Sequence, residues 1–363
     1  MAIDRTLEMF RSPIPGSERS PAIRSVDWIL RGVGQVVFQG NWLTGLVILA
    51  AIAVNSWVYF VAALLGTIVS TATAVLLRMD RSLVNAGLLG FNGCLAGIGL
   101  NFYMSNDVTI GEWPSVQLYL YMALAAALST VVMGALGSLL GSRGTPVLTA
   151  PFVFATWLLM FAVYAFVGFE PGALLAPGSP APLGETAGYT AETVFNGTFK
   201  GVGEIFFQDN AVTGIIMAVG ILVNTRVGAL MAVGGSLLAT LLAMAAGADE
   251  AAINAGLFGF NAALTAIALG GFFFVLNRSG ALYALFGVVV TVFLWPSIGV
   301  VLTPIGMPTL TFPFVLTTWL FILAKPAFPA LTPVEPADAT YPENNYRRWK
   351  TEVLAQRETV RSG

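Results

Sequence analysis

The sequence predicts an all-α polytopic membrane protein built from two inverted repeats of five transmembrane helices. Three observations carry this expectation. The chain is too apolar to fold with a soluble surface, it repeats itself once, and its basic residues segregate to one side of the predicted spans. Of its 363 residues, 56% are hydrophobic and 10% charged, against about 25% charged in an average soluble domain. The apolar runs are continuous and of helical length, which argues for membrane helices and against the alternating pattern of a β-barrel. The abundant glycine suits helices that pack backbone to backbone in lipid.

The repetition is explicit. From Gly32 the chain reads GVGQVVFQGNWLTG and from Gly201 GVGEIFFQDNAVTG. From Asn85 it reads NAGLLGFNGCLAGIGL and from Asn254 NAGLFGFNAALTAIAL, so both pairs are offset by 169 residues. PVLTAPFVFATW from Pro146 and PTLTFPFVLTTW from Pro308 are offset by 162. A period this long excludes a solenoid and predicts two structural halves with a site at their interface.

Taken in order, the chain opens with a polar, mixed-charge segment, 1–24, that lacks the apolar core of a cleaved signal peptide. The first membrane repeat, 25–169, has spans at 41–57, 58–77, 84–102, 117–140 and 147–168. A linker over 170–197 is rich in Pro, Gly and acidic residues. The second repeat, 198–326, has spans at 210–224, 227–246, 254–275, 280–302 and 309–325, and a tail follows over 327–363. Asn196-Gly-Thr forms a glycosylation sequon in the linker, expected on the outer side. The segments Gly32–Gln39 and Gly201–Gln208 precede the first span of each half. They are too short to cross about 30 Å of hydrocarbon as helices. Each is either a re-entrant element that dips in and returns, or an extension of the first span toward the interface.

An odd number of spans per half makes the second half enter from the opposite side. The charges agree. With the N-terminus inside, the loops carrying Arg78 and Arg81, Arg143, Arg226 and Arg278 all fall inside, as does the tail. Lys200 is the exception among the 17 basic residues, a clear positive-inside bias. The expected address is the cell (inner) membrane, with both termini cytoplasmic.

Few residues could carry chemistry. There is no histidine, and Cys94 is the single cysteine. His-based metal sites, His-based triads and disulfide scaffolds are therefore excluded, and Cys94 reads as a small buried residue. No nucleophile–base constellation is visible, so no enzyme is expected, and neither a metal nor a cofactor is called for. The balanced charge gives no reason to expect nucleic acid. Glu204 is the one acidic residue of the repeated blocks at membrane depth, and its repeat mate is Gln35. An intramembrane carboxyl is costly, so it marks a functional residue or a helix-end acceptor. Phe91 with Leu95, and Phe260 with Leu264, stand one helical turn apart, on one face. They read as packing residues or as an aromatic face beside Gly, Asn and small side chains. Asn92 and Asn261 need partners in an apolar setting. Thr149 and Thr311 sit in L-T-x-P-F, where Pro151 and Pro313 kink a helix or expose carbonyls along a cavity. Together these groups offer oxygen acceptors and aromatic faces with almost no charge, which suits a small, neutral, flat molecule rich in N–H donors rather than an ion.

GVGQVVFQ/GVGEIFFQ, GLLGFNGCL/GLFGFNAAL and LTAPFVFATW/LTFPFVLTTW resemble the urea transporter family, and the resemblance spans roughly 25–326. It implies five spanning helices and a re-entrant pore helix per half, a homotrimer in membrane lipid with one pore per protomer, and uncoupled passage of urea. It also implies roles. Phe91 and Phe260, with Leu95 and Leu264, would form flat slots, and Thr149 and Thr311 the narrow centre. Gln35, Val36 and Phe38 would match the family's pore residues in one half, and Glu204, Ile205 and Phe207 in the other by repeat position. Ile205 is Val36 in the first repeat, a change that bears on pore width. Competing readings are a channel for another small amide or ammonia, and an ion-coupled secondary transporter, which also uses inverted repeats.

Overall fold

The computed structural model describes residues 13–105, 115–166, 177–179, 188–336 and 338–362. Asp107, Glu112 and most of the linker lie outside them. The described residues form helices and turns, with one isolated antiparallel bridge between Phe274 and Pro333. The first half comprises α1 (Pro21–Gln35), α2 (Trp42–Asn55), α3 (Trp57–Leu76), α4 (Arg81–Asn85), α5 (Phe91–Met104), α6 (Val116–Leu140) and α7 (Ala150–Val163). The second half follows the same order: α8 (Ala191–Gly203), α9 (Ala211–Asn224), α10 (Arg226–Ala245), α11 (Glu250–Asn254), α12 (Gly259–Ile267), α13 (Arg278–Leu302) and α14 (Phe312–Leu323). A π-helical turn, Ala268–Phe272, extends α12, and α15 (Pro342–Ser362) ends the chain.

The repeated sequence repeats its punctuation. Asn41 and Asn210 cap α2 and α9, Ser56 and Thr225 cap α3 and α10, and Asp80 and Asp249 cap α4 and α11, each accepting from backbone N–H groups of the first turn. The sequon lies inside α8, where the Asn196 amide donates to Asn254 Oδ1 (2.9 Å).

Among the described residues, four helices are long and apolar enough to cross a membrane: Trp57–Leu76, Val116–Arg143, Arg226–Ala245 and Arg278–Ile305. Ala191–Phe206 with Ala211–Asn224 makes a fifth if the pair, bent by 71°, is taken as one span. The others are short. α2 and α7 have 14 residues and α14 has 12, a rise of about 18–21 Å.

The structure departs from the sequence reading where apolar runs were taken as straight spans. The run 84–102 is divided between α4 and α5, and 254–275 between α11 and α12. The break falls at Gly87 (φ 74°) and Gly256 (φ 79°), in the left-handed region where only glycine is unstrained. A Cβ at Gly87 would also press on the backbone of Arg31 and Gly32, and one at Gly256 on Lys200 and Gly201, so α1 and α8 cross directly over the two turns. Pro151 and Pro313 do not kink helices either. They sit in the first turns of α7 and α14, where their fixed φ is an asset.

Backbones touch elsewhere too. A Cβ on Gly45 would overlap the Leu30 carbonyl oxygen, and one on Gly214 the Phe199 carbonyl oxygen. These contacts fasten α1 against α2 and α8 against α9.

The halves meet reciprocally. Asn55 Nδ2 donates to Gln208 Oε1 (2.9 Å), and the repeat-equivalent Asn224 Nδ2 donates to Gln39 Oε1 (2.6 Å). Trp157 Nε1 donates to the Pro308 carbonyl and Trp319 Nε1 to the Pro146 carbonyl, both at 2.8 Å. Equivalent atoms exchanging equivalent bonds are what an approximate two-fold axis between the halves requires.

The tail returns to the second half. Val275 N–H donates to the Thr332 carbonyl (2.9 Å) and Val334 N–H to the Phe273 carbonyl (2.8 Å). Glu343 accepts from Thr225 Oγ1 (2.6 Å), Arg226 N–H (2.9 Å) and Val227 N–H (3.1 Å), at the start of α10. Asn345 Nδ2 donates to the Gly271 carbonyl (2.8 Å).

Overpacking at a backbone contact costs about 1–3 kcal/mol. Gly45→Ala and Gly214→Ala should therefore each lower the melting temperature of the detergent-solubilised protein, by similar amounts. Gly137→Ala, where nothing lies within 4 Å of the added methyl, should leave it unchanged. Equal tolerance at all three positions would refute the helix contacts described above.

Candidate functional site

The centre of the molecule is built from the two L-T-x-P-F turns. Leu148 (φ 54°) and Leu310 (φ 49°) adopt left-handed backbone, which costs a β-carbon residue energy and needs a support. Asn92 and Asn261 supply it. Asn92 Oδ1 accepts from Phe152 N–H (3.0 Å) while its Nδ2 donates to the Leu148 carbonyl (3.3 Å). Asn261 does the same for Phe314 N–H (3.1 Å) and the Leu310 carbonyl (3.2 Å). These are the partners that buried asparagines demand. Thr149 and Thr311 then take the N-cap positions of α7 and α14 but cap nothing with their side chains. Their hydroxyls face each other at 2.6 Å, both almost wholly buried.

A second device swaps aromatic rings between the halves. Gly34 and Gly203 leave room for the Gln39 and Gln208 carbonyls to fold back close to α1 and α8. The resulting turns hold Phe38 (φ 62°) and Phe207 (φ 58°) in left-handed backbone. Each ring projects into the opposite half. Phe38 packs on Phe272 (4.9 Å between centroids), Phe273 (5.7 Å) and Phe314 (6.1 Å). Phe207 packs on Phe102 (5.4 Å), Tyr103 (6.0 Å) and Phe152 (6.3 Å). In the second half the segment after α8 bends the chain by 71° and is not a straight extension of the span.

A cavity of about 270 Å³ leads from Glu204 toward the central hydroxyls. Five of the residues that the sequence singles out line it: Glu204, Ile205, Phe207, Phe260 and Thr311. Thr149 reaches it through Thr311. Gln35, Val36 and Phe38 occupy the equivalent position in the first half. There the Gln35 amide is tied to the Ala86 carbonyl (2.8 Å) and Val36 is buried. Phe91 is almost buried, and Leu95 and Leu264 are fully so.

The cavity also has walls that the sequence reading missed, among them Phe102, Tyr103, Trp295, Met307 and Thr309. Tyr103 was within reach, because its repeat mate 169 residues on is Phe272, an aromatic at the same point of the second half. Trp295 has no aromatic mate at the offset of 162, where Met133 stands. Its ring stacks edge-on against Phe258 (4.6 Å).

Glu204 is partly buried and, among the described residues, is the one acidic side chain lining this cavity. The cation on its own turn, Lys200, is engaged by Asp209 (2.6 Å).

A sequence model described as urea transporter matches residues 26–326. Among curated relatives, urea transporter 1 of Ovis aries is 34% identical over 328 residues, covering 90% of this chain and 84% of its own length. Urea transporter 1 of Capra hircus matches to the same extent. Urea transporter 1 of Rattus norvegicus is 33% identical over the same shares.

Removing one of two bonded hydroxyls leaves the other unpaired, at about 1–3 kcal/mol, whereas removing both is nearly neutral. Thr149→Val and Thr311→Val should each lower the melting temperature, and the double variant should recover most of the loss. Additive losses would show that the two side chains do not bond.

Proposed function

This chain belongs to the urea transporter family, and on that premise we propose that its two halves enclose one pore through which urea crosses the membrane down its gradient. The observation that carries the reading is the uncharged hydroxyl pair at the centre, reached from Glu204 through an aromatic-walled cavity. Urea is flat, neutral and rich in N–H donors. Carboxyl and hydroxyl oxygens accept those donors, and aromatic walls admit a flat solute while resisting a thicker one, since packed interiors yield little volume. The matching sequence model and the relatives are described as urea transporters, so transport is the activity proposed.

The proposed pore residues are the twelve named from the sequence, with Tyr103 and Trp295 added as walls of the Glu204 mouth. The halves, 25–169 and 198–326, are inverted relative to each other, and both termini face the cytoplasm at the cell (inner) membrane. Protease protection of the tail in sealed vesicles tests that orientation. The assembly is a homotrimer in lipid, tested by the mass of the protein in detergent micelles.

Urea influx into proteoliposomes should be rapid and unchanged by imposed proton or sodium gradients. An influx that tracks either gradient would favour the ion-coupled reading, and faster passage of formamide or ammonia than of urea would favour another small solute. Phe260→Ala, which removes a cavity wall, should admit glycerol alongside urea, and Phe91→Ala should do the same at the equivalent position. Truncating a buried Phe also destabilises by about 3–5 kcal/mol, so melting and selectivity are to be read on the same samples. Lower stability with selectivity unchanged would make the rings packing residues only.

A further inference from the structure

The two mouths of the proposed pore differ in charge although the duplication made them equivalent. Glu204 stands where the first half has Gln35, and Tyr103 where the second half has Phe272. One mouth therefore presents a carboxyl in a cavity that Tyr103 also lines, and the other a carboxamide tied to the Ala86 carbonyl.

The cavity that Glu204 lines is also lined by five aromatic side chains: Phe102, Tyr103, Phe207, Phe260 and Trp295. An anionic oxygen beside aromatic faces in a confined space is a recognition site for an organic cation, since ring quadrupoles attract positive charge and desolvation strengthens the attraction. A planar cation with several N–H donors fits best, because it meets a carboxylate two-pronged and shares the outline of the neutral solute the pore admits. The neighbouring Lys200 is paired with Asp209, so its charge does not repel such a ligand unopposed.

Beyond Glu204 the path turns hostile to a cation. It leads to the Thr149–Thr311 hydroxyl pair, which carries no charge. That pair sits at the N-termini of α7 and α14, and helix N-termini carry partial positive charge. A cation moving inward would leave its carboxylate, shed water and approach two positive dipole ends. A neutral diamide suffers none of these costs.

We propose that the Glu204 mouth binds planar monocations of the guanidinium class, which enter from that side alone and block the pore without crossing it. The proposal rests on the urea-channel reading for its consequence, while the binding itself does not.

The block needs the ionised carboxyl, so it strengthens as pH rises until Glu204 is fully ionised. Guanidinium stays charged throughout that range. The titratable and charged groups around Glu204 are Tyr59 on α3, Tyr103 on α5, Lys200 on α8 and Asp209 in the following turn.

The experiment uses full-length protein in vesicles of one orientation. Urea flux is measured with millimolar guanidinium chloride on either side, against tetramethylammonium chloride at equal ionic strength. Guanidinium should slow wild-type flux from the Glu204 side only. Its half-blocking concentration should rise about tenfold or more in Glu204→Gln, with each variant normalised to its own unblocked flux. Gln35→Glu should acquire a block from the opposite side. Equal block of wild type and Glu204→Gln, equal block from both sides, or labelled guanidinium crossing as fast as urea would each overturn the proposal. Binding is read separately as a rise in melting temperature of the detergent-solubilised protein in guanidinium, lost in Glu204→Gln. Absence of that wild-type rise refutes the site even if urea flux is normal. Its presence in a protein that conducts no urea refutes the channel reading and leaves the site standing.

Discussion

A helix that begins inside this protein starts with N–H groups that water cannot reach, and the core is arranged around satisfying them. In α7 the first turn is accounted for completely. Ala150 N–H reaches the Val147 carbonyl (3.3 Å), residue 151 is a proline with no N–H, Phe152 donates to Asn92 Oδ1 and Val153 to the Thr149 carbonyl (3.1 Å). The first turn of α14 is closed in the same way by Thr309, Pro313, Asn261 and Thr311. In a low-dielectric interior an orphan donor costs far more than a bond gains. The asparagines and prolines thus make possible two helices that start near the centre. Because those donors are met from within the backbone and by asparagine, the threonine hydroxyls are free to bond each other at the centre.

The duplication explains how such a centre is assembled from local rules. Each half contributes one turn, one asparagine, one hydroxyl and one left-handed phenylalanine. Each half also lends its aromatic ring and its indole N–H to the other. Neither half can satisfy Trp157, Trp319, Asn55 or Asn224 alone. The central contact therefore depends on both copies packing at one register, and backbone-close contacts such as Gly45 on Leu30 and Gly214 on Phe199 hold the helices in that register.

Much of this was legible in the sequence. The repeated blocks located both halves, the asparagines that needed partners and the two threonines. Depth was not legible. Hydropathy reports that a stretch is apolar. A broken helix pair buried in protein has the same composition as a straight span in lipid, so 84–102 and 254–275 read as single crossings. The informative residues were Gly87 and Gly256, whose meaning lies in a positive φ that periodicity does not reveal. Pro151 and Pro313 were noticed but read as kinks or as breaks exposing carbonyls, because proline at a helix start and proline within a helix differ only in where the helix begins. The tail contacts of Glu343 and Asn345 were invisible for another reason. They join residues more than 70 positions apart, and no repeat or spacing marks them.

Where the copies have kept the same residue, the residue serves the frame: Asn92 and Asn261, Thr149 and Thr311, Phe38 and Phe207, Gln39 and Gln208. Where they have diverged, the frame is indifferent and the chemistry of one mouth changes. Gln35 donates to the Ala86 carbonyl, a bond that an ionised Glu204 cannot make to the equivalent Ala255 carbonyl. Glu204, at the equivalent position, lines the cavity. A duplicated scaffold thus separates two demands that compete at a single site. Two-fold contacts fix the position of the centre, while the pair Gln35 and Glu204 differs in charge between the halves.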